Sequence, residues 1–452
     1  MTAAIVETTH PVVVIGAGPT GLAAAANLVE RGLDVLVLER GPRAGAAVRQ
    51  WGHVRLFSPW SELVDPAARR LLEQAGWVAP DPDGYPTGAE WADSYLQPLA
   101  DALGDRVRYR ATVTGVARRG RDRVVDSGRA DQPFTVHVEA EDGGPTRVTA
   151  AAVLDASGTF LRPNPIGGDG YPADGERAAA ERIAYRVPDV DDPADVARYS
   201  GRTTAVVGAG HSALTAIVAL AALAERVPGT EVVWVLRRGG IGDAFGGGEA
   251  DELPARGALG QRARRAVEAG HVRVVTGFRT AAVELVGSSV ALRSEDGDVV
   301  AGLDEVVGLT GFRPDHTILG ELRLDLDGRL EAPVRLAPLI DPNVHSCGTV
   351  YPHGVAELSH DGEPGVYLVG MKSYGRAPTF LAMTGFEQVR SVVAAIAGDH
   401  EAAARVELTL PETGVCGGAG LFDESGDTAP GCCTPTTPQL LQLGSGAAAA
   451  SC

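Results

Sequence analysis

The stretch PVVVIGAGPTGLAAAANLVERGLDVLVLER, residues 11–40, decides the fold. Its apolar run from Pro11 to Ile15 reads as a buried strand, the turn from Gly16 to Gly21 opens an Ala-rich helix that runs to about Arg31, and a second apolar strand ends at Glu39. Strand, glycine turn, helix and strand in that order make a dinucleotide-binding unit. Gly16 permits the tight turn, Gly18 lets backbone N–H groups approach a pyrophosphate, and Gly21 lets the helix lie close to the strand. Glu39, with Arg40 directly after it, stands where a carboxylate accepts hydrogen bonds from ribose hydroxyls and repels a 2′-phosphate. This unit suits FAD or NAD and disfavours NADP.

The same order recurs in TTAVVGAGHSALTAIVALAALAERVPGTEVVWVLRRGG, residues 203–240, with the turn at Gly208, Gly210, His211 and Ser212. Here the second strand runs out into Arg237 and Arg238 with no acid. Two guanidiniums at that place suit the 2′-phosphate of NADPH, which takes bidentate donors. One FAD site and one NADPH site is the simplest assignment. The expected fold is α/β, with two Rossmann-like dinucleotide-binding domains.

Further motifs agree. DASG (Asp155 to Gly158) follows the apolar AAVL, and LTGFRP (Leu309 to Pro314, with Gly311) follows DEVVG; both are strand ends with glycine where the backbone passes near a ligand. In combination these motifs resemble the flavoproteins with two dinucleotide-binding domains, and among them the flavin-containing monooxygenases, over most of residues 10–400. The resemblance implies that DASG and LTGFRP are the two linkers between FAD and NADPH domains, and that the segment from Val366, which includes Gly370, supplies the closing FAD strand and final helix. The implied division is an FAD domain in two parts, residues 1–165 and 312–405, around an NADPH domain at 166–311, with a tail at 406–452. The implied chemistry is flavin reduction by NADPH and insertion of one oxygen atom from molecular oxygen into a small soft-heteroatom substrate. One pattern is missing: GERAAAERIAYRVPD, from Gly175, stands where the Phe-x-Gly-x-x-x-His-x-x-x-Trp/Tyr fingerprint of Baeyer–Villiger and related monooxygenases is expected.

Composition fits a large enzyme. Acids outnumber bases by 58 to 40 in 452 residues, a net charge of −18, which disfavours nucleic acid and anionic membranes as partners. The start MTAAIVETTHP has neither a basic nor an apolar signal region, so a cytoplasmic location is expected. The apolar stretch from Ala205 to Leu223 reads as a buried strand and helix, since His211 and Ser212 interrupt it. A homodimer is left open.

Candidate chemical residues follow the first unit. His53 and Arg55 lie among Trp51, Phe57 and Trp60, in a segment that the resemblance puts beside the flavin and substrate. A pocket wall and an ordinary core are equally compatible with these aromatics. Lys372, in GMKSYGRAP, can face the flavin or be a solvated cation, and GGGEADELPARGALG (246–260) reads as a surface loop or a lid.

The five cysteines are Cys347, Cys416, Cys432, Cys433 and Cys452. None forms a CxxC or CxxxxC near a glycine turn, so the redox dithiol of thioredoxin-reductase-like enzymes is missing. Cys416 with the vicinal Cys432 and Cys433 in the Gly/Pro-rich tail makes a set of soft ligands suited to a thiophilic metal or metalloid such as trivalent arsenic, or a set of incidental thiols. The vicinal pair is similar to that near the C-terminus of mercuric reductases. Alternatives to the monooxygenase are a flavin reductase of a soft ion or quinone, an N- or S-oxygenase of organic molecules, and a non-catalytic FAD/NADPH redox sensor.

Overall fold

A computed structural model describes residues 10–141, 143–246, 251, 253–344, 352–378 and 380–408. The expected first unit forms as read. Strands β1 (Val12–Ile15) and β2 (Val35–Leu38) flank helix α1 (Pro19–Glu30), which starts with proline at its first turn. They belong to a five-stranded parallel sheet, completed by β3 (Val107–Arg108), β7 (Ala152–Asp155) and β16 (Val366–Leu368), in the order β16-β7-β1-β2-β3. Strands read as unbroken apolar runs because the sheet is covered on both faces.

Alternate residues serve the two faces. Val12, Val14, Val35 and Val37 pack against α1 and the late helix α4 (Ala382–Ile396), whereas Val13, Ile15, Leu36 and Leu38 pack on an antiparallel meander. That meander comprises β4 (Ala111–Arg118), β5 (Phe134–Ala140) and β6 (Gly144–Ala150).

The second unit repeats the plan. Its parallel sheet has the order β11-β10-β9-β15-β8, from β8 (Ile183–Ala184), β9 (Thr203–Val207), β10 (Glu231–Val235), β11 (Val272–Val275) and β15 (Glu305–Gly308). Helices α2 (His211–Arg226) and α3 (Pro254–Glu268) cover one face. A second meander, β12 (Thr280–Val286), β13 (Ser289–Ser294) and β14 (Val299–Leu303), covers the other. Every strand of this sheet falls between β7 and β16 in the chain, so the first sheet is interrupted by the second. The stretch Ala205–Leu223 thus spans the end of β9 and most of α2, and no helix among the described residues is long and apolar enough to cross a membrane.

The stretches after DASG and after LTGFRP run side by side: Pro163 bridges Phe312, the Asn164 N–H donates to the Gly311 carbonyl at 2.9 Å, and Arg313 Nε donates to Asn164 Oδ1 at 2.7 Å. The supposed loop at 246–260 is corrected, since from Pro254 onward it is the first half of α3. Gly260, which reads as a loop glycine, is a packing glycine: a Cβ there would lie 1.8 Å from the Phe245 carbonyl oxygen.

Candidate cofactor-binding site

Both glycine turns leave the carboxyl end of a central strand, where ligands of open parallel sheets bind. In the first, Gly16 adopts φ +99°, and a Cβ on Gly21 would sit 2.0 Å from the Gly16 carbonyl oxygen, so helix and turn close on each other only because both are glycines. Gly18 caps α1, no side chain caps that end, its first turn holds no acid, and a Cβ on Gly18 would meet nothing within 4 Å. An uncapped helix N-terminus facing open space fits a pyrophosphate. Glu39 is buried beside it, accepting from the Ala17 and Gly41 N–H groups at 2.7 Å each. Its carboxylate is held at the end of β2, as a ribose ligand requires. Arg40, next in sequence, points to solvent.

The last strand brings a distant segment to this turn. Gly370, with its N–H on Gln388 Oε1 at 2.9 Å, abuts Thr20 at the start of α1. Lys372 is 1% exposed, and its Nζ lies 2.6 Å from Asp155 Oδ2 and 3.0 Å from Ser157 Oγ. Ser157 Oγ also donates to Asp155 Oδ1 at 2.6 Å, so the DASG loop, Gly158 included, is fastened by a buried ion pair. Sequence spacing offered Lys372 two roles, facing the flavin or solvated; the structure places it in neither the solvent nor an open cavity.

In the second turn Gly208 adopts φ +137°, and Gly210 caps α2 without a side-chain cap or a first-turn acid. The space before Gly210 is open within 4 Å of where a Cβ would stand, the same fit to a pyrophosphate as at Gly18. Arg237 and Arg238 follow β10, the former exposed and the latter half-buried. Ser212 is exposed. His211 meets the edge of Phe57 at 5.4 Å between ring centroids, and burial pulls its imidazole below the ordinary histidine range. The Gly311 carbonyl accepts the Asn164 N–H at 2.9 Å.

Phe57 and Val54 pack into the core of the second unit, so the segment 51–60 bridges both halves. Beside it an open cleft of about 400 Å³ is lined by Arg49, Gln50, His53, Arg186, Asp189 and Asp192, among others. His53 Nδ1 is 3.8 Å from Asp189 Oδ2, and its buried Nε2 has no partner among the described residues. Arg55 sits apart, on the surface, donating to the Tyr85 carbonyl and 3.8 Å from Glu90. No hydrogen bond or ion pair among the described residues joins His53, Arg55 and Lys372. Cys416, Cys432 and Cys433 lie outside the described residues. Among the described residues no group of three or more His, Cys, Asp or Glu side chains is disposed to hold a metal ion. Sequence reading missed Asp155 as the partner of Lys372, Asp189 as the neighbour of His53, and Trp234. For Trp234 a signal was present, since an indole in a buried parallel strand needs an acceptor for its N–H.

The profile of one protein family, described as pyridine nucleotide-disulphide oxidoreductase, matches residues 13–334. The chain belongs to that family. It is accordingly a flavin-dependent oxidoreductase that draws on a pyridine nucleotide. Indole-3-pyruvate monooxygenase YUCCA1 of Oryza sativa subsp. japonica is 36% identical over 107 residues, 23% of this chain and 24% of that enzyme, so the match spans about a quarter of the relative's length. The bacillithiol disulfide reductase Bdr of Bacillus cereus shares the fold at a TM-score of 0.63 and 19% identity, over 86% of this chain and 99% of that one. The ornithine N-hydroxylase of Kutzneria sp. 744, whose structure is described with reduced FAD, NADP+ and ornithine, shares it at a TM-score of 0.57 and 19% identity, over 88% and 99%. The expected likeness to flavoprotein monooxygenases therefore holds at the level of the fold. In this member of the disulphide oxidoreductases all five cysteines lie outside the described residues, and none is near a glycine turn in sequence.

Proposed function

We propose that the protein is an FAD-dependent, NADPH-consuming monooxygenase of a small soft-heteroatom substrate. The observation that carries this reading is the contrast between two open, uncapped cradles, one closed by the carboxylate of Glu39 and the other followed by Arg237 and Arg238. Gly16, Gly18, Gly21 and Glu39 hold the FAD, with Gly158 and Gly370 beside them; Gly208, Gly210, His211, Ser212, Arg237 and Arg238 hold NADPH. FAD-binding residues then occupy 1–165 and 312–405, the NADPH-binding insertion 166–311, and a tail 406–452. When bound, FAD supplies the hydride acceptance and oxygen activation that no side chain provides. The chain's own residues bind and orient. His53 lines the cleft, and Asp189, 3.8 Å from its Nδ1, biases the orientation in which the ring would meet a substrate.

The finer reading, a trivalent arsenical or organoarsenical gathered by Cys416, Cys432 and Cys433, rests on sulfur's affinity for soft ions. A reductase without oxygen insertion is favoured by the likeness to the bacillithiol disulfide reductase. Turnover of the flavin-loaded protein with NADPH and a trivalent arsenical under isotope-labelled oxygen separates the two. One labelled oxygen atom in the product is expected, and substrate-dependent NADPH oxidation without label, sustained in the absence of oxygen, would overturn the monooxygenase reading.

A further inference from the structure

We infer that Trp234 is a positioning residue for the pyridine nucleotide, aiming one amide of the second glycine turn at the pyrophosphate. The inference rests on the proposed assignment of that turn to NADPH. Trp234 lies on β10, fully buried, and its indole Nε1 donates to the Gly208 carbonyl at 2.7 Å. In a planar trans peptide the carbonyl oxygen and the following N–H point in opposite directions. Drawing the Gly208 oxygen down onto the indole therefore turns the Ala209 N–H the other way, to the side opposite the indole.

A comparison of the two turns explains why this anchor exists only once. In the first, the Gly16 oxygen nestles against Gly21, where a Cβ would lie 2.0 Å away. The equivalent residue of the second turn is Ala213, whose methyl group denies that resting place. The Gly208 carbonyl needs another partner, and Trp234 is it. Register supplies the second half of the contrast. Ile15 pairs with Leu38 and Val207 with Val235, so Leu236 stands where Glu39 stands. Glu39 takes the Ala17 N–H at 2.7 Å, whereas the side chain at the corresponding position of the second unit is that of Leu236, which has no acceptor for the Ala209 N–H. Trp234 thus holds an amide that the protein leaves to a ligand. Phe245 packs on the indole at a tilt of 56°, 5.7 Å away between ring centroids, with the Arg264 guanidinium 5.1 Å from the Phe245 ring centre.

The decisive comparison is NADP+ affinity by calorimetry on the FAD-loaded protein, for the parent, Trp234→Phe and Val206→Ala. Val206 pairs with Trp234 in the sheet and belongs to the same core but does not reach the turn carbonyl by a side-chain hydrogen bond. Trp234→Phe should raise the NADP+ dissociation constant about tenfold, the worth of one hydrogen bond to a charged group, and leave FAD content unchanged. NADPH and NADH should suffer alike, because the 2′-phosphate is not involved. Parent-like affinity in Trp234→Phe overturns the inference, and so does an equal loss in Val206→Ala at matched thermal stability. A parent protein that fails to bind NADP+ at all sinks the assignment of the turn instead. Should Trp234→Phe not fold, the parent carries the test, with its five tryptophans 15N-labelled at the indole. The resonance surviving all four other Trp→Phe changes should move saturably with NADP+, and a stationary resonance overturns the inference.

Discussion

Lys372 is the only lysine in the chain, and it is spent on a carboxylate that has no exposure at all. Removing one member of such a pair leaves an uncompensated buried charge, so Lys372→Met should destabilise the protein by about 3–5 kcal/mol. Urea unfolding measures this; pairing the change with Asp155→Asn should recover much of the loss, and a cost under about 1 kcal/mol would show that the pair is not held as described. Arg237 and Arg238 act differently, since their proposed partner is a ligand phosphate. Changing both to Ala should raise the KM for NADPH about tenfold or more while leaving NADH within about twofold, charge-assisted hydrogen bonds being worth roughly 1.5–3 kcal/mol each. Equal effects on both nucleotides would remove the basis for preferring NADPH. At this scale the place of Glu39 at the end of β2, and of Arg237 and Arg238 just past β10, was legible in the sequence, because each follows the second strand of a glycine unit. The partners of Lys372 and His53 were not legible, because Asp155 and Asp189 lie on other elements.

Elements carry the acid sensitivity. Burial pushes the His353 imidazole down to about 4, and its Nε2 lies 3.1 Å from the Tyr374 hydroxyl. His211, His316 and His360 are lowered for the same first reason, loss of water around the charged form. The fold holds these rings neutral while the unfolded chain protonates near the ordinary value of 6.5. The contribution of His353 is therefore fully present above about pH 6.5 and is lost as the pH falls through about 4, and the other three act in the same direction. The midpoint of thermal unfolding should drop over that window, and His353→Gln should flatten the drop; an identical slope in the variant would exclude His353 as a source. Helices α1 and α2 were readable from their glycine turns and apolar faces. α3 was not, because Gly, Pro and charge at 246–260 carry turn signals that packing of Gly260 against Phe245 overrides.

For the whole molecule, the proposed thiol function belongs to a tail whose cysteines lie outside the described residues, and every residue proposed for either cradle precedes it. Ending the chain after Leu410 should leave flavin content and NADPH oxidation intact and lower turnover of a trivalent arsenical; unchanged turnover would remove the case for Cys416, Cys432 and Cys433. The sequence by itself determined the two strand–turn–helix–strand units and the charge that ends each, because those depend on spacing within about thirty residues. The nesting of one sheet's strands inside the other's was implied by the family resemblance, and the strand order shows it. Only the tertiary structure decided which distant side chains meet. Strand order sets β16 beside β7 and so brings Lys372 to Asp155, 217 residues away. The docking of the segment 51–60 on the second unit likewise sets His53 opposite Asp189 and Phe57 against His211. Hydrogen bonds and ion pairs of that range follow from where the sheets place their ends, which no local pattern encodes.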